Sequence, residues 1–138
     1  MRIISFAYTT PALLAGVKTV TRREWSADYA KSFAKSREII AAYDRSPRFG
    51  GRKVAEIRLG GLPSLESTAE MPDEDYFLGG FHFLYTHPDC MPRTLWGKPA
   101  SRDDFSLAGF NRWRARDELM WVVRFELVRI TPGMRTVY

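Results

Sequence analysis

Three stretches of the chain carry the spacing or composition of β-strands. Arg2–Tyr8 is rich in β-favouring residues, Lys53–Leu59 alternates unevenly between apolar and polar positions, and Trp121–Val128 alternates clearly. Glu38–Tyr43 is ambiguous, because its isoleucines suit a strand while its composition also allows a helix. If it is a strand, the turn residues around Gly50-Gly51 predict a β-hairpin with Lys53–Leu59.

Helix signals lie between the strands of the first half. Pro11–Ala15 predicts a short helix, with Thr10 as its cap and Gly16 at its end, because glycine readily takes the left-handed conformation that closes helices. After Trp25, Ser26 is a capping residue for a second helix, which runs through Phe33.

The second half of the chain is less regular. Gly60–Glu70 predicts a loop with a short strand after its proline, and Pro72–Phe81 predicts a helix, because proline and carboxylates both suit a first helical turn. Phe83–Gly97 contains two prolines and predicts a loop. Ser101–Leu107 suits a short helix, and Asn111–Arg116 predicts a basic, aromatic connector.

Short strands, a few short helices and glycine-rich turns together predict a mixed α+β fold whose sheet curls into a partly closed barrel. The 138 residues are the length of one domain, with a hydrophobic share of 45%, so we expect a single domain over residues 1–138. Cys90 is the only cysteine, which excludes an internal disulfide. No apolar run is long enough to span a membrane, so we expect a cytoplasmic protein.

Charge is segregated along the chain. The net charge is +5, but residues 18–58 carry +6, residues 59–90 carry −6, and the remaining ends carry +1 and +4. A basic face with interleaved aromatics is typical of a nucleic-acid partner, provided that the two basic blocks meet in the fold. The alternative is that a modest positive charge only maintains solubility.

The most concentrated chemistry lies after the first predicted helix, in the pattern Gly16-x-Lys18-x-x-Thr21-x-Arg23. In an extended segment Thr21 and Arg23 share one face and Arg22 takes the other, because side chains alternate along a strand. An ammonium, a hydroxyl and a guanidinium are suited to a phosphate or to a polar base edge. The alternative is a solvated basic turn.

This pattern, following Leu-Leu-Ala near the N-terminus, resembles the signature of the ASCH domain, a relative of the PUA domain of RNA-modifying proteins. Gly80-Phe81 resembles the end of the family's helix, and Met120–Arg129 resembles its closing strand. The resemblance implies a PUA-like β-barrel with helices at its ends. It also implies RNA binding or, in some members, hydrolysis: removal of the acetyl group of N4-acetylcytidine, or cleavage of single-stranded RNA.

The amidohydrolases of that family use the motif lysine and threonine together with a glutamate, which implies Lys18 and Thr21 as catalytic residues here. The glutamate position is occupied by Gly79, which has no side chain. Asp75 lies four residues earlier, on the same face of the predicted helix, and is the candidate substitute. Arg23 would hold substrate or stabilise an oxyanion.

Binding without catalysis requires fewer groups. Lys18, Arg22 and Arg23 would contact phosphates. A base would stack on one of four aromatic side chains, as in single-stranded RNA recognition: Trp25, Tyr43, Phe49 or Trp113. We therefore expect a domain that binds RNA or a modified nucleoside around Lys18, Thr21 and Arg23. A hydrolase and a protein-binding adaptor are the alternatives.

Neither a cofactor nor a metal is predicted. His82, His87 and Cys90 are close in sequence but lack the spacing of a zinc site, and a fourth ligand is not evident. The paired glycines also lack the spacing of a phosphate-binding loop.

Overall fold

A computed structural model describes residues 1–33 and 38–134. The strands of this part of the chain are β1 (Ile3–Ser5), β2 (Val20–Arg23), β3 (Ile39–Tyr43), β4 (Lys53–Leu59), β5 (Ser64–Ser67), β6 (Thr94–Leu95), β7 (Lys98–Pro99) and β8 (Leu119–Ile130). Its α-helices are α1 (Thr10–Leu14), α2 (Ala27–Lys31), α3 (Asp75–Leu78), α4 (Phe81–Thr86) and α5 (Leu107–Ala115). Single 3-10 turns occur between several of these elements.

The long strand β8 organises the main sheet, whose order is β1-β3-β4-β8-β2 with β5 also paired to β8. Its first residues pair with β5 and β2, and its later residues pair with β4. The β1/β3 pair is parallel and the other pairs of this sheet are antiparallel. Because β8 changes partners along its length and the β4 register shifts after Glu56, the sheet curls into a half-barrel. The α+β class with a partly closed barrel is confirmed.

The largest core cluster joins the strands of this sheet to α1. Its members come from β1, α1, β3, β4 and β8, and include Phe6, Leu13, Ile40, Ile57 and Leu59, each at most 2% exposed. Two smaller clusters, around Phe110 and Phe105, pack α3, α4 and α5 against one another and their neighbouring turns. Asp75 of α3 pairs with Arg22 of β2 and Arg124 of β8, which places α3 beside these two strands.

Most strand predictions are confirmed. Glu38–Tyr43 contains a strand, β3, which forms the predicted antiparallel hairpin with β4. A short strand does follow Pro63. The first strand is shorter than Arg2–Tyr8, because the chain enters a 3-10 turn at Ala7, whose φ is +48°.

The helix predictions need more correction. Thr10 is the first residue of α1 and not its cap. Ser26 does cap α2, accepting a hydrogen bond from the Tyr29 backbone N–H, and α2 ends at Lys31. The predicted helix through Phe33 is therefore two residues too long, and residues 34–37 lie outside the described part of the chain.

The predicted helix Pro72–Phe81 is wrong in extent. It is divided into α3 and α4 at Gly80, whose φ of +97° interrupts the right-handed backbone. Helix α4 occupies the first part of the predicted loop Phe83–Gly97, because the prolines of that segment come only after the helix has ended. The short hairpin β6/β7 begins within the same predicted loop.

The predicted connector Asn111–Arg116 is also wrong, since its residues up to Ala115 belong to α5. Ser106 caps this helix by accepting a hydrogen bond from the Gly109 N–H at 3.1 Å. The predicted helix Ser101–Leu107 is instead a 3-10 turn over Arg102–Phe105, closed by a capping box at Ser101. In the described ranges, no helix has the length and apolar character needed to cross a bilayer.

Candidate functional site

A tight turn after α1 places Lys18 beneath the junction of α3 and α4. Gly16 adopts a φ of +78°, and the backbone N–H groups of Val17 and Lys18 both donate to the Ala12 carbonyl. The Lys18 side chain then runs past Gly80, and its Nζ donates to the Gly79 carbonyl at 2.7 Å. Only 4% of Lys18 is exposed, so its ammonium is held in the interior by a single described hydrogen bond.

Burial lowers the pKa of Lys18 well below 10.5, because a buried ammonium loses its hydration. The positive charges of Arg23 and Arg22 lower this pKa further, while the Asp75 carboxylate opposes the effect. Lys18 is therefore the group of the site that can exist as a neutral amine, which is a stronger base and nucleophile than an ammonium.

Strand β2 supplies the hydroxyl and a first guanidinium. Thr21 is buried, and its Oγ1 accepts a hydrogen bond from Arg23 Nε at 3.1 Å, which confirms that Thr21 and Arg23 share a face. Arg23 Nη2 donates to the Ser5 carbonyl at 2.5 Å. Because Thr21 Oγ1 acts as an acceptor towards Arg23, its own O–H can be donated to a group in the cavity.

Asp75 is the centre of a buried ion cluster at the start of α3. It is 1% exposed and accepts two hydrogen bonds from Arg124, at 3.1 Å to Oδ1 and 3.0 Å to Oδ2. Arg22 Nη2 lies 2.7 Å from Asp75 Oδ2. Hydrogen bonding to Asp75 raises the pKa of Arg124, and burial lowers the pKa of Arg22. One carboxylate therefore serves two guanidiniums.

These groups border a cavity of about 200 Å³. The polar lining includes Lys18, Thr21, Arg22, Arg23 and Asp75, while the aromatic lining is Phe6, Tyr8, Phe81, Trp96 and Trp113. Strand alternation predicted that Arg22 lies on the opposite face from Thr21 and Arg23. Arg22 nevertheless lines the cavity with them, because its guanidinium reaches the buried Asp75 carboxylate. We call Lys18, Thr21 and Arg22 the cationic floor of the cavity. We call Phe81, Trp96 and Trp113 its aromatic wall.

The aromatic wall is built from α4, α5 and the β6/β7 turn. Trp113 stacks on Phe81 with ring centroids 5.4 Å apart, and Trp96 follows at 6.5 Å from Trp113. Trp96 is 57% exposed, and the Arg116 guanidinium lies 5.2 Å from its ring centre. Such rings, partly buried and partly open, can accept another planar ring by stacking.

Backbone strain also concentrates at this cavity. Non-glycine residues with positive φ are Ala7, Trp96 and Asp117 in the described part of the chain, and the first two line the cavity. Trp96 and Gly97, at +53° and +77°, form the two-residue turn of the β6/β7 hairpin. A tryptophan in this conformation is costly, and such strain is commonly retained at ligand sites.

The candidate residues do not all come together. Trp25 does not line the cavity: its ring stacks on Phe33, with ring centroids 5.0 Å apart. The sequence analysis missed Trp96 and Arg124. A two-residue Trp-Gly turn between short extended segments could have indicated the first. Arg124 had no local signal, because its role depends on β8 pairing with β2, where it lies opposite Val20.

Gly79 has a structural reason to lack a side chain. A Cβ at this position would lie 2.8 Å from the Asp75 carbonyl oxygen, closer than real Cβ contacts. The backbone would have to shift before a glutamate fitted here. Asp75 is accordingly the only carboxylate among the described residues that line the cavity.

Comparisons with known proteins give limited information. No protein-family model matches the chain, and no curated protein matches it. Among solved structures, the chain is similar to protein EF3133 from Enterococcus faecalis V583, assigned to family DUF984, with 14% identity and a TM-score of 0.49. The alignment covers 94% of this chain and 77% of the other.

Proposed function

We propose that this protein binds single-stranded RNA or a modified nucleoside by taking one base into the cavity. The proposal rests on one observation. The hydrogen-bond donors Lys18 and Thr21 and the aromatic ring of Trp96 line the same cavity. Unstacked bases are recognised in this way, by stacking on aromatic side chains and hydrogen bonding along a base edge. A duplex would keep its bases inaccessible to such a recess.

The size of the cavity limits what can enter. At about 200 Å³ it lies below the roughly 300–1,000 Å³ of pockets that enclose a whole drug-sized ligand. One base with at most one attached anionic group is therefore the expected occupant, and the rest of an RNA strand would lie outside. The ASCH resemblance supports the same function, because its motif residues Lys18, Thr21 and Arg23 all line this cavity.

Trp96 offers the sharpest test, because a substitution can remove its aromatic ring while keeping the backbone conformation of the turn. Asparagine tolerates positive φ better than most residues, so Trp96→Asn keeps the turn and removes the ring. Trp96→Tyr keeps an aromatic ring. Stacking contributes about 1–3 kcal/mol per base, so we expect Trp96→Asn to weaken binding of a short fluorescent single-stranded RNA by about tenfold or more.

Fluorescence anisotropy of the wild type, both Trp96 variants and Lys18→Ala measures these affinities. We expect Trp96→Tyr to bind nearly as well as the wild type and Lys18→Ala to bind poorly. Phe49→Asn is the control, because this exposed ring, 72% accessible, lies outside the cavity lining. Equal affinity of the wild type, Lys18→Ala and Trp96→Asn would contradict the proposal.

A hydrolase is the second candidate, favoured by the lowered pKa of Lys18 in the same cavity as Thr21. A neutral amine can take the proton of the Thr21 hydroxyl as its oxygen attacks the acetyl carbonyl, and can return that proton to the N4 amine of cytidine as the C–N bond breaks. Water then hydrolyses the acetyl-threonine ester to acetic acid and restores the hydroxyl. Against it, Lys18 Nζ donates to Gly79 and the Asp75 oxygens already accept from Arg124. Acetate release from N4-acetylcytidine, abolished in Thr21→Val, tests this candidate, and a gel of the RNA tests cleavage.

A further inference from the structure

The cationic floor presents donors whose hydrogen-bonding capacity is not used. The Arg22 side chain is 4% exposed, yet its Nε and Nη2 have no aligned hydrogen-bond acceptor among the described residues. Nη2 lies 2.7 Å from Asp75 Oδ2 and is engaged in that ion pair, so Nε is the Arg22 donor that lacks a partner. Lys18 and Thr21 each retain further donor capacity beside it. Buried N–H groups without acceptors are rare, and they indicate a missing partner.

The charges around the cavity also favour an anion, because positive side chains outnumber negative ones in its described lining. Lys18, Arg22 and Arg23 line it, and Asp75 is the single carboxylate that the described lining provides. Asp75 is shared with Arg124, and no described carboxylate lies within ion-pair distance of Lys18 or Arg23. Buried charge is costly unless it is paired, so the lining as it stands favours the arrival of a negative charge.

Acceptors are correspondingly scarce on the floor. Both Asp75 oxygens accept from Arg124, and the Gly79 carbonyl accepts from Lys18. A ligand group that reaches the floor must therefore bring acceptor oxygens of its own. Guanidinium and ammonium groups bind phosphate and carboxylate most strongly, since those hydrogen bonds are charge-assisted.

We propose that the floor of the cavity is an anion subsite, in which a phosphate or carboxylate of the ligand accepts hydrogen bonds from Arg22, Lys18 and Thr21. The inference rests on the proposed function, because the ring of the same ligand lies against the aromatic wall. It narrows the ligand class to a nucleotide or an acid-bearing base, and it excludes a neutral nucleoside as the preferred occupant.

Proton uptake on binding follows from the surroundings of Lys18. The charged groups that face it are Arg22 and Arg23 from β2 and Asp75 from α3, and burial adds to the cationic neighbours in lowering its pKa. An anion placed beside Lys18 raises that pKa again. Affinity for the anion is then highest below the pKa of Lys18 in the free protein, falls as the pH rises from that pKa to the higher pKa in the complex, and is constant above it.

The test uses NMR spectra of the intact chain, in which arginine Nε–Hε groups give separate signals. Inorganic phosphate and acetate are the probes for the anion, and uridine and uridine 5′-monophosphate are the probes for the ring with and without it. We expect phosphate to shift the Arg22 Nε–Hε signal, and the monophosphate to bind at least tenfold more tightly than uridine. Acetate binding in place of phosphate would assign the subsite to a carboxylate.

Matched variants make the test specific. Arg22→Gln removes one charge from the floor, and Arg48→Gln removes one charge from an exposed turn outside the cavity. We expect a loss of at least tenfold in phosphate affinity for the first and no change for the second. Arg22→Lys keeps the charge, and its partial recovery of binding distinguishes an anion contact from a folding defect. Calorimetry in two buffers of different ionisation enthalpy counts the proton taken up.

The two proposals fail separately. If uridine and RNA bind in a Trp96-dependent manner but phosphate and acetate do not shift Arg22, the anion subsite is wrong and the proposed function stands. If phosphate binds through Arg22 but no nucleoside, nucleotide or RNA binds, the subsite stands and the proposed function is wrong. Equal phosphate affinity of Arg22→Gln and Arg48→Gln would overturn the subsite.

Discussion

Two groups of three cations, each within six residues of sequence, have opposite environments in this protein. Lys18, Arg22 and Arg23 line the cavity, where Arg22 shares the buried Asp75 carboxylate with Arg124. The second group, Arg112, Arg114 and Arg116, lies on α5 and at its end. In the sequence both groups indicate a phosphate-binding surface, and the first is no more basic than the second.

The α5 cations already have partners. Arg112 pairs with Asp103 at 2.6 Å, Arg114 with Asp73 at 2.9 Å and Arg116 with Glu118 at 2.5 Å, and these acids are wholly or partly exposed. Their charge is compensated and screened by water. In the cavity, Lys18 and the Arg22 side chain are each 4% exposed, and the described lining gives them a single carboxylate, Asp75. The comparison shows that availability for a ligand depends on burial and partners, and not on the number of basic residues.

The largest expected effect comes from removing the buried carboxylate. Asp75→Asn leaves Arg22 and Arg124 without their anion, and breaking a buried ion pair costs about 3–5 kcal/mol. Urea unfolding measures the loss. Asp73→Asn is the matched control, because its side chain is 92% exposed and its loss from the Arg114 pair should be too small to resolve. Similar destabilisation by both variants would remove the contrast between the two groups.

A smaller effect is expected at the glycine that shapes the lysine site. Gly80 has a φ of +97°, and a Cβ there would lie 3.2 Å from Ala12 Cβ and 3.8 Å from Lys18 Cδ. The left-handed conformation alone costs about 1–2 kcal/mol for other residues, so Gly80→Ala should lower the free energy of unfolding by at least that amount. Gly61→Ala, where a Cβ meets nothing within 4 Å, is the control. Equal stability of the two variants would contradict the prediction, because it would mean that neither the left-handed backbone at Gly80 nor the close approach to Ala12 and Lys18 opposes a side chain there.

The pH dependence of stability tests the burial of Lys18. Its folded pKa is lowered below 10.5, so the unfolded chain binds more protons between the two pKa values and stability rises with pH across that window. Each pKa unit corresponds to about 1.4 kcal/mol. Lys18→Met should therefore be more stable than the wild type at neutral pH, with the difference shrinking as the pH approaches 10. Urea unfolding from pH 7 to 9.5 measures this, and a constant difference would mean that Lys18 titrates normally.

The fold was predictable where local pattern and packing agree. The alternation at Trp121–Val128 and the capping by Ser26 are properties of neighbouring residues, and both appear as predicted. The helix Pro72–Phe81 failed because its break depends on Gly80 packing against Ala12, which is distant in sequence. The connector Asn111–Arg116 failed because aromatic packing against Phe81 stabilises a helix whose own sequence pattern is weak.

The site was predictable only in its motif. Lys18, Thr21 and Arg23 were identified from their spacing, and the turn at Gly16 with strand β2 brings them to one cavity. The sequence could not show that Asp75 binds two guanidiniums, because Arg124 comes from a strand 49 residues away. Trp25 was chosen for its proximity to the motif, whereas its packing against Phe33 depends on α2.

The smallest effect is expected on α5. Arg112→Gln removes an exposed cation that already pairs with Asp103, so it should change neither stability nor RNA affinity measurably. Anisotropy titrations of single-stranded RNA at two or more salt concentrations check this, because each phosphate contact contributes about 0.7 to the slope of log affinity against log salt. An unchanged slope would mean that the phosphates of the RNA do not contact α5. A slope reduced by that amount would place the RNA backbone on α5 and extend the binding surface beyond the cavity.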